Sequence, residues 1–278
     1  MKKKIVIISS ILLLFLSIII YSRYIGTKGL IVKEYKIVNE RIPEEFHGFK
    51  IVHFSDLHYG TTIQKKELES LVHKINSLKP DIVVFTGDLT SSDMNEEEEN
   101  ELITSLLNIK ATYKKYAILG NEDQETIFNN IIQQSDFINL NNQYDLIYNN
   151  SLEPILIAGS NSNLNTNITI KEKLKTTIDY INNHDIAYRI LLLHEPDYID
   201  EIESDKFHLA LAGHSHAGQI RLPWIGAIIL PDGAKKYPNF VYDIYNTKLY
   251  ISSGLGTSNI KFRFNNKPSI NLYRLTNH

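Results

Sequence analysis

Lys50-Ile51-Val52-His53-Phe54-Ser55-Asp56-Leu57-His58 and, further along, Asp81-Ile82-Val83-Val84-Phe85-Thr86-Gly87-Asp88 decide the fold class of this chain. Each is a β-branched apolar run of strand length that closes on polar and acidic side chains. Between them Leu68, Leu71, Val72, Ile75 and Leu78 recur at helical spacing, and Pro80 ends the helix. The result is a β-α-β unit, the building block of an α/β domain. A second helical stretch, Glu96 to Asn108, leads to a third strand at Tyr116-Ala117-Ile118-Leu119. The acidic run Glu96 to Glu99 reads as a solvated first turn, where carboxylates favour the positive helix end, rather than as a cation site. Further strands are expected at 155–158, 189–193, 208–212, 248–251 and 270–273, flanking one helix near Lys171 to Asn182. The Asn-rich segments Asn139 to Asn150 and Ser160 to Asn167 read as loops or hairpin turns. With no internal repeat and no linker, strands from both halves are expected to form packed sheets in one domain.

The chain has 278 residues, 43% hydrophobic and 22% charged, enough to bury a sizeable core. Zero Cys excludes disulfides, thiolate zinc sites, iron–sulfur clusters and a Cys nucleophile, so any metal must be held by His, Asp, Glu or Asn. With 29 Lys+Arg against 32 Asp+Glu, the net charge of -3 gives no reason to expect a nucleic-acid partner. The N-terminus differs from the rest: Met1-Lys2-Lys3-Lys4 precedes an uncharged apolar run from Ile5 to Ser22. A spanning helix needs ~20 apolar residues, and Ile20-Tyr21-Ser22 is not a small-x-small cleavage site. The run therefore reads as an uncleaved signal anchor. The three Lys favour a cytoplasmic tip, a bias that Arg23, Lys28 and Lys33 weaken. Residues 1–27 are expected to form the tip and anchor, and residues 28–278 a single extracytoplasmic domain on the cell membrane.

Open α/β sheets place ligands at the C-terminal ends of their strands. There this chain carries Ser55-Asp56-Leu57-His58, Thr86-Gly87-Asp88, Gly120-Asn121-Glu122-Asp123, His194 and Gly213-His214-Ser215-His216. Asp-x-His and His-x-His suit an extended or turning backbone whose alternate side chains point the same way. Glycines before Asp88, Asn121 and His214 permit tight turns and close approach. Asp, Asn and His donors without thiolate suit divalent Mn, Fe or Zn.

In this order the motifs resemble the calcineurin-like metallophosphoesterase superfamily, with a match running from Asp56 to His216. Gly213-His214-Ser215-His216-Ala217-Gly218-Gln219 and Ser253-Gly254-Leu255-Gly256 are similar to its membrane-anchored bacterial phosphodiesterase subgroup. The resemblance implies a four-layer α/β/β/α sandwich and hydrolysis of phosphoester bonds with two divalent metal ions. By matching position, Asp56, His58 and His216 would hold one ion, Asn121, His194 and His214 the other, and Asp88 would bridge them. Ions ~3.5–4 Å apart clamp a phosphoryl group and acidify a bridging water. No protein nucleophile is then required. The implied substrates are phosphodiesters or pyrophosphates of lipid-linked or nucleotide-like compounds, and the anchor favours a lipid-proximal one.

The departure from the pattern is Glu122, which stands where the family has a His beside the phosphate. A carboxylate there repels phosphate unless the site raises its pKa, in which case Glu122 joins Asp88 and Asn121 as a catalytic group. Loss of general acid catalysis alone costs roughly 10²–10⁴-fold, leaving slower hydrolysis. The alternatives are a catalytically weak metal- and phosphate-binding envelope protein and, against the net charge, a nuclease.

Other residues have plainer readings. His53, His73 and His208 are expected to be ordinary surface or partly buried residues, and Asp123 a turn carboxylate or an orienting one. Tyr59 is not expected to be a ligand, since strand neighbours point to opposite faces. Arg221, Trp224 and the apolar segment Leu222 to Leu230 read either as a lipid-facing rim or as core filling. Lys261-Phe262-Arg263-Phe264 reads as an edge strand, its basic face either solvated or bound to phosphate or anionic headgroups. Oligomeric state is not written in the sequence.

Overall fold

The sequence's first expectation, a β-α-β unit, is met in a computed structural model that describes residues 2–90, 94–164, 166–258 and 260–278. Met1 of the tip and Asn165 of the second Asn-rich segment lie outside the described residues. In the first half of the chain α1 (Lys2–Ile20) runs into a π-helical turn, Tyr21–Ile25. It is followed by β1 (Ile31–Val38), β2 (Lys50–Phe54), α2 (Lys65–Leu78), β3 (Ile82–Thr86), α3 (Glu96–Leu107), β4 (Lys114–Ile118), α4 (Glu125–Gln134) and β5 (Ile138–Asn139). The second half gives β6 (Gln143–Ile147), β7 (Ile155–Gly159), α5 (Ile170–Lys173), α6 (Lys175–Asn183), β8 (Tyr188–Leu193) and β9 (Leu209–Ala212). A small hairpin, β10 (Arg221–Leu222) and β11 (Gly226–Ala227), precedes β12 (Val241–Ile244), β13 (Thr247–Ile251) and β14 (Ser269–Thr276).

Two six-stranded sheets result, in the orders β1-β14-β2-β3-β4-β5 and β12-β13-β9-β8-β7-β6. The alternation of side chains along each strand sorts the core into layers. Val52, Phe54, Val83 and Phe85 face Leu68, Leu71, Leu102 and Phe128 of α2, α3 and α4. Their neighbours Ile51, Ile82, Val84 and Tyr116 face Ile157, Ile190, Leu192 and Leu209 across the sheet interface. On the far side Leu156, Leu191 and Ala210 pack on Ile170, Leu174 and Ile181. Covering both faces explains why these strands read as continuous apolar runs. The architecture is the expected α/β/β/α sandwich.

Helix starts follow the sequence: Asn95 caps α3 by accepting the Glu98 N–H at 3.0 Å, so the acidic run is a first helical turn. Several elements differ from expectation. The Asn139 to Asn150 segment contains β6, which pairs antiparallel with β7 as an edge strand and needs few apolar residues. The helix expected near Lys171 to Asn182 is two, α5 and α6, separated at Leu174. β1, with Lys33, Glu34 and Lys36 among its residues, pairs parallel with β14, and α4 buries Phe128, Ile131 and Ile132. α1 is long and apolar enough to cross a membrane, and none of its described residues is buried, unlike a core helix.

Candidate metal centre

The parallel strands β2 and β3 keep pairing past their ends, Asp56 N–H donating to Gly87 O at 2.9 Å and His58 N–H to Asp88 O at 3.1 Å. The backbone then turns left-handed at the side chains of interest: φ is 50° at Asp56, 45° at His58, 59° at Asp88, 62° at His214 and 50° at His216. Of the extended and turning backbones that suit Asp-x-His and His-x-His, the turning one is realised. Residues held there cost on the order of 1 kcal/mol or more each and persist where surrounding structure enforces them. The turns also explain why His214 and His216 do not converge: one joins Asp88, the other Asp56. Gly87, at φ 92°, has no alternative, since a Cβ would lie 2.5 Å from His194 Nδ1. At Gly213 a Cβ would lie 1.9 Å from Ser55 Oγ.

Two clusters of buried ligand atoms follow, Asp56 with His58 and His216, and Asp88 with His194 and His214, each within 4.8 Å. Asp88 faces both ways, Oδ2 lying 3.7 Å from His58 Nε2 and Oδ1 lying 3.3 Å from His194 Nε2. Asn121 Oδ1 is 2.9 Å from His194 Nε2. The His58 and His216 rings stack with centroids 5.4 Å apart.

Outer partners fix these rings. His194 Nδ1 lies 2.7 Å from Thr86 O, and His214 Nε2 lies 2.8 Å from Asp232 O, so each directs its other nitrogen inward. The His214 N–H and the Ser55 hydroxyl donate to Asp56, and the Glu122 N–H donates to Asp88 Oδ1 at 2.9 Å. Burial pushes Asp56 up to about 7, although His194 opposes the rise. Burial also works against ionisation of Asp88, but His194 prevails and holds that carboxyl below the ordinary range. Burial lowers His58 to about 4 and lowers His214 and His216 as well, with Arg263 adding to the effect on His216. Burial works against the charged form of His194 too, but the Asp88 carboxylate prevails and raises it well above its ordinary value, so this ring must give up a proton to a cation; N and O donors without sulfur fit such an ion.

The remaining candidates take varied positions. Glu122 is exposed, with Asn121 Nδ2 donating to it at 3.2 Å; partial burial and the Asp88 charge push its carboxyl up. Asp123 accepts backbone N–H groups of Asp88, Leu89 and Gly120 at 2.7–2.9 Å, so this turn carboxylate also orients the loop that carries Asp88. Tyr59 donates to Glu101 at 3.0 Å, away from the clusters. His53 and His208 are buried in hydrogen bonds with Thr86 Oγ1 and the Arg189 N–H, and His73 is exposed.

Two readings need correction. Lys261 to Phe264 is no edge strand, and Arg263 is wholly buried: its guanidinium lies 3.0 Å from His216 Nδ1 and donates to Ser253 O and Gly256 O. Its alternation with aromatics is equally that of a sheet face, so residue types alone do not mark this group behind a ligand. Leu222 to Leu230 does not fill the core; it is the exposed β10–β11 hairpin and its continuation. A cleft of about 260 Å³ lies beside it, with His214 and His216 at one end and Ile229, Leu230, Ile260 and Phe262 along the walls. A larger hollow of about 1090 Å³ between α2 and α3 holds none of the clustered side chains.

Residues 49–218 match the family model of the calcineurin-like phosphoesterases. The chain belongs to that family. It is 31% identical over 92% of its length to YkuE of Bacillus subtilis, an uncharacterized metallophosphoesterase, of which it covers 88%. It is 25% identical, over 84% of its length and 86% of the relative's, to the UDP-2,3-diacylglucosamine pyrophosphatase LpxG of Chlamydia muridarum. Among solved structures, TT1561 of Thermus thermophilus superposes with a TM-score of 0.50 at 11% identity, covering 74% of this chain and 90% of that one, a likeness of fold alone. As a member of this calcineurin-like family with two divalent-metal sites, the chain has the active site of a metal-dependent hydrolase.

Proposed function

We propose that this calcineurin-like protein is a membrane-anchored phosphoesterase of the bacterial phosphodiesterase type, with residues 1–27 as tip and anchor and residues 28–278 as an extracytoplasmic catalytic domain. The observation that carries the reading is Asp88, whose two oxygens face the two clusters separately. In this reading Asp56, His58 and His216 would hold one divalent ion, Asn121, His194 and His214 the other, and Asp88 would serve both. Two such ions, of Mn, Fe or Zn, supply Lewis acidity toward a phosphoryl group and an acidified water. The chain supplies the rest: Thr86 O and Asp232 O set the His194 and His214 tautomers, Asp123 holds the Asp88 loop, and Glu122 carries a proton toward the leaving group. The raised carboxyl of Glu122 supports that role.

The substrate is a phosphodiester or pyrophosphate of a lipid-linked or nucleotide-like envelope compound. Support comes from the apolar walls of the cleft beside His214 and His216, from α1, and from similarity to a relative named for a diacylated sugar nucleotide. No nucleic-acid partner is proposed. A second reading, a catalytically weak metal- and phosphate-binding envelope protein, is favoured by one observation, the exposed Glu122 in place of the family's His.

The test is hydrolysis of a bis-aryl and a mono-aryl phosphate by the full chain in detergent with Mn²⁺, with chelator, and with Asp88→Asn as background. Chelator-sensitive, Asp88-dependent turnover is expected. A folded, metal-loaded protein with no turnover above that background moves the assignment to the binding protein. Glu122→His then separates the cases, since a large gain marks a damaged site and a loss marks a participating carboxyl.

A further inference from the structure

The end of the anchor is packed onto the domain rather than joined to it by a loose tether. Arg263 N–H donates to Ser22 O at 2.9 Å, Ser22 is buried, and the Tyr21 ring meets Phe264 edge-on with centroids 6.1 Å apart. Gly26 lies so close that a Cβ would be 2.0 Å from Arg263 O. The same short segment is bonded to the base of the β10–β11 hairpin. Phe264 N–H donates to Gln219 O and Arg221 N–H to Phe264 O, both at 3.0 Å, and Asn265 Nδ2 donates to Arg221 O at 3.1 Å. Arg221 pins the other side of the hairpin through Pro238 O at 2.8 Å and Asn239 Oδ1 at 2.7 Å. A few hydrogen bonds thus fix the hairpin relative to the last turn of the apolar helix.

The hairpin itself has the surface of a buried element but is exposed. No charge occurs from Leu222 to Leu230. Trp224, at its turn, has a relative exposure of 103%, Ile225 is 72% exposed, and Ile228 and Ile229 are about half exposed. Soluble surfaces rarely show such a contiguous apolar patch, and Trp is enriched where a protein meets the membrane–water interface. Arg23, Lys28, Lys261 and Lys267 lie along the same junction, the last three exposed, a composition suited to anionic headgroups.

We propose that the hairpin is a second membrane contact, with Trp224, Ile225, Ile228 and Ile229 inserted at the headgroup–acyl boundary of the leaflet from which α1 emerges. The bilayer is its occupant because the anchor ends on the residues that hold the hairpin. The cleft between Ile229, Leu230, Ile260 and Phe262 then opens at the membrane surface, and a phosphoester bearing an acyl or prenyl chain reaches His214 and His216 by moving laterally within the leaflet. This last consequence rests on the phosphoesterase reading; the membrane contact does not.

Trp224 is the sole tryptophan and therefore its own probe. The full chain is reconstituted into vesicles of phosphatidylcholine and phosphatidylglycerol, with or without bromine on the acyl chains, and its emission is followed with iodide as the aqueous quencher. A blue-shifted emission, quenched by brominated lipid and shielded from iodide, is expected. Emission of a water-exposed indole, quenched by iodide and indifferent to bromine, overturns the proposal. So does emission shielded from both quenchers, which shows a protein surface over the hairpin. Neither result depends on turnover, so hydrolysis of a water-soluble aryl phosphate by the same preparation tests the phosphoesterase reading separately.

Discussion

The two ligand clusters meet at Asp88 but are supported differently. On one side His194 and His214 turn their outer nitrogens to the backbone carbonyls of Thr86 and Asp232. On the other, His216 turns Nδ1 to the buried guanidinium of Arg263, whose pKa burial lowers to about 9 while Asp56 opposes the fall. A carbonyl accepts an imidazole N–H and leaves the inward lone pair free for an ion, whereas a guanidinium can only donate and carries charge. The Asp88–His194–His214 side would therefore turn lone pairs to a cation once His194, held protonated by Asp88, gives up its proton, and the Asp56–His58–His216 side would hold one against a positive charge at its back. Unequal affinities for the two ions are the expected outcome, the Asp56 side being the weaker.

The sharpest way to break this comparison is Asp88→Asn. If the clusters are one dinuclear centre, turnover falls on the order of 10³-fold or more, since two ions stabilise the transition state by several kcal/mol. Metal analysis of the purified variant should show both ions depleted; full retention of both would make the clusters independent. Next in size is Glu122→Gln, expected to lower the rate roughly 10²-fold or more if Glu122 donates the proton. A carboxyl pushed up stays protonated to higher pH, so its donation is present below its folded pKa and lost as pH rises through it. The pH–rate profile of Glu122→Gln should lack that descending limb, and an unchanged rate and profile would remove Glu122 from the chemistry.

Asp123→Ser tests the preorganised side through its support. Loss of an outer-shell partner typically costs 10–100-fold in metal affinity, and here calorimetric titration should show the tighter step weakened to approach the other. The smallest effect is expected from Arg263→Gln, which removes the charge behind His216. The weaker ion should bind about tenfold more tightly, as for the loss of one short-range repulsion. Folding stability should fall by about 1–3 kcal/mol on chemical denaturation, because a buried carbonyl of Ser253 or Gly256 is left without its donor. Unchanged affinities in Arg263→Gln would mean that the two sides do not differ electrostatically.

The loops that carry these side chains were legible because each follows a buried strand, and a strand covered on both faces is an uninterrupted apolar run ending at Asp56, Asp88 or His194. Elements that expose one face were not. β6 and β1 are polar enough to pass for loops, and their pairing with β7 and β14 depends on partners distant in sequence. The split between His214 and His216 was legible only through the family resemblance, because it depends on left-handed backbone at both, which residue types alone do not dictate. Arg263 was hidden for a similar reason: a buried guanidinium is sustained only by the carbonyls that surround it, and these come from Ser253, Gly256 and Asn266. Exposure of the Trp224 hairpin likewise depends on what the fold leaves uncovered.

The direct seating of Ser22 and Gly26 against Arg263 also sets the reach of the enzyme. Proteins shed from membranes are usually cut in an extended stalk, and exposed flexible segments are where proteases cleave. Here the last turn of the helix is already part of the folded domain, so that stretch offers a sheddase no stalk to cut. With α1 in a bilayer, the domain, of radius of gyration about 18 Å for its size, stays pressed to one surface. So held, it would survey two dimensions rather than three.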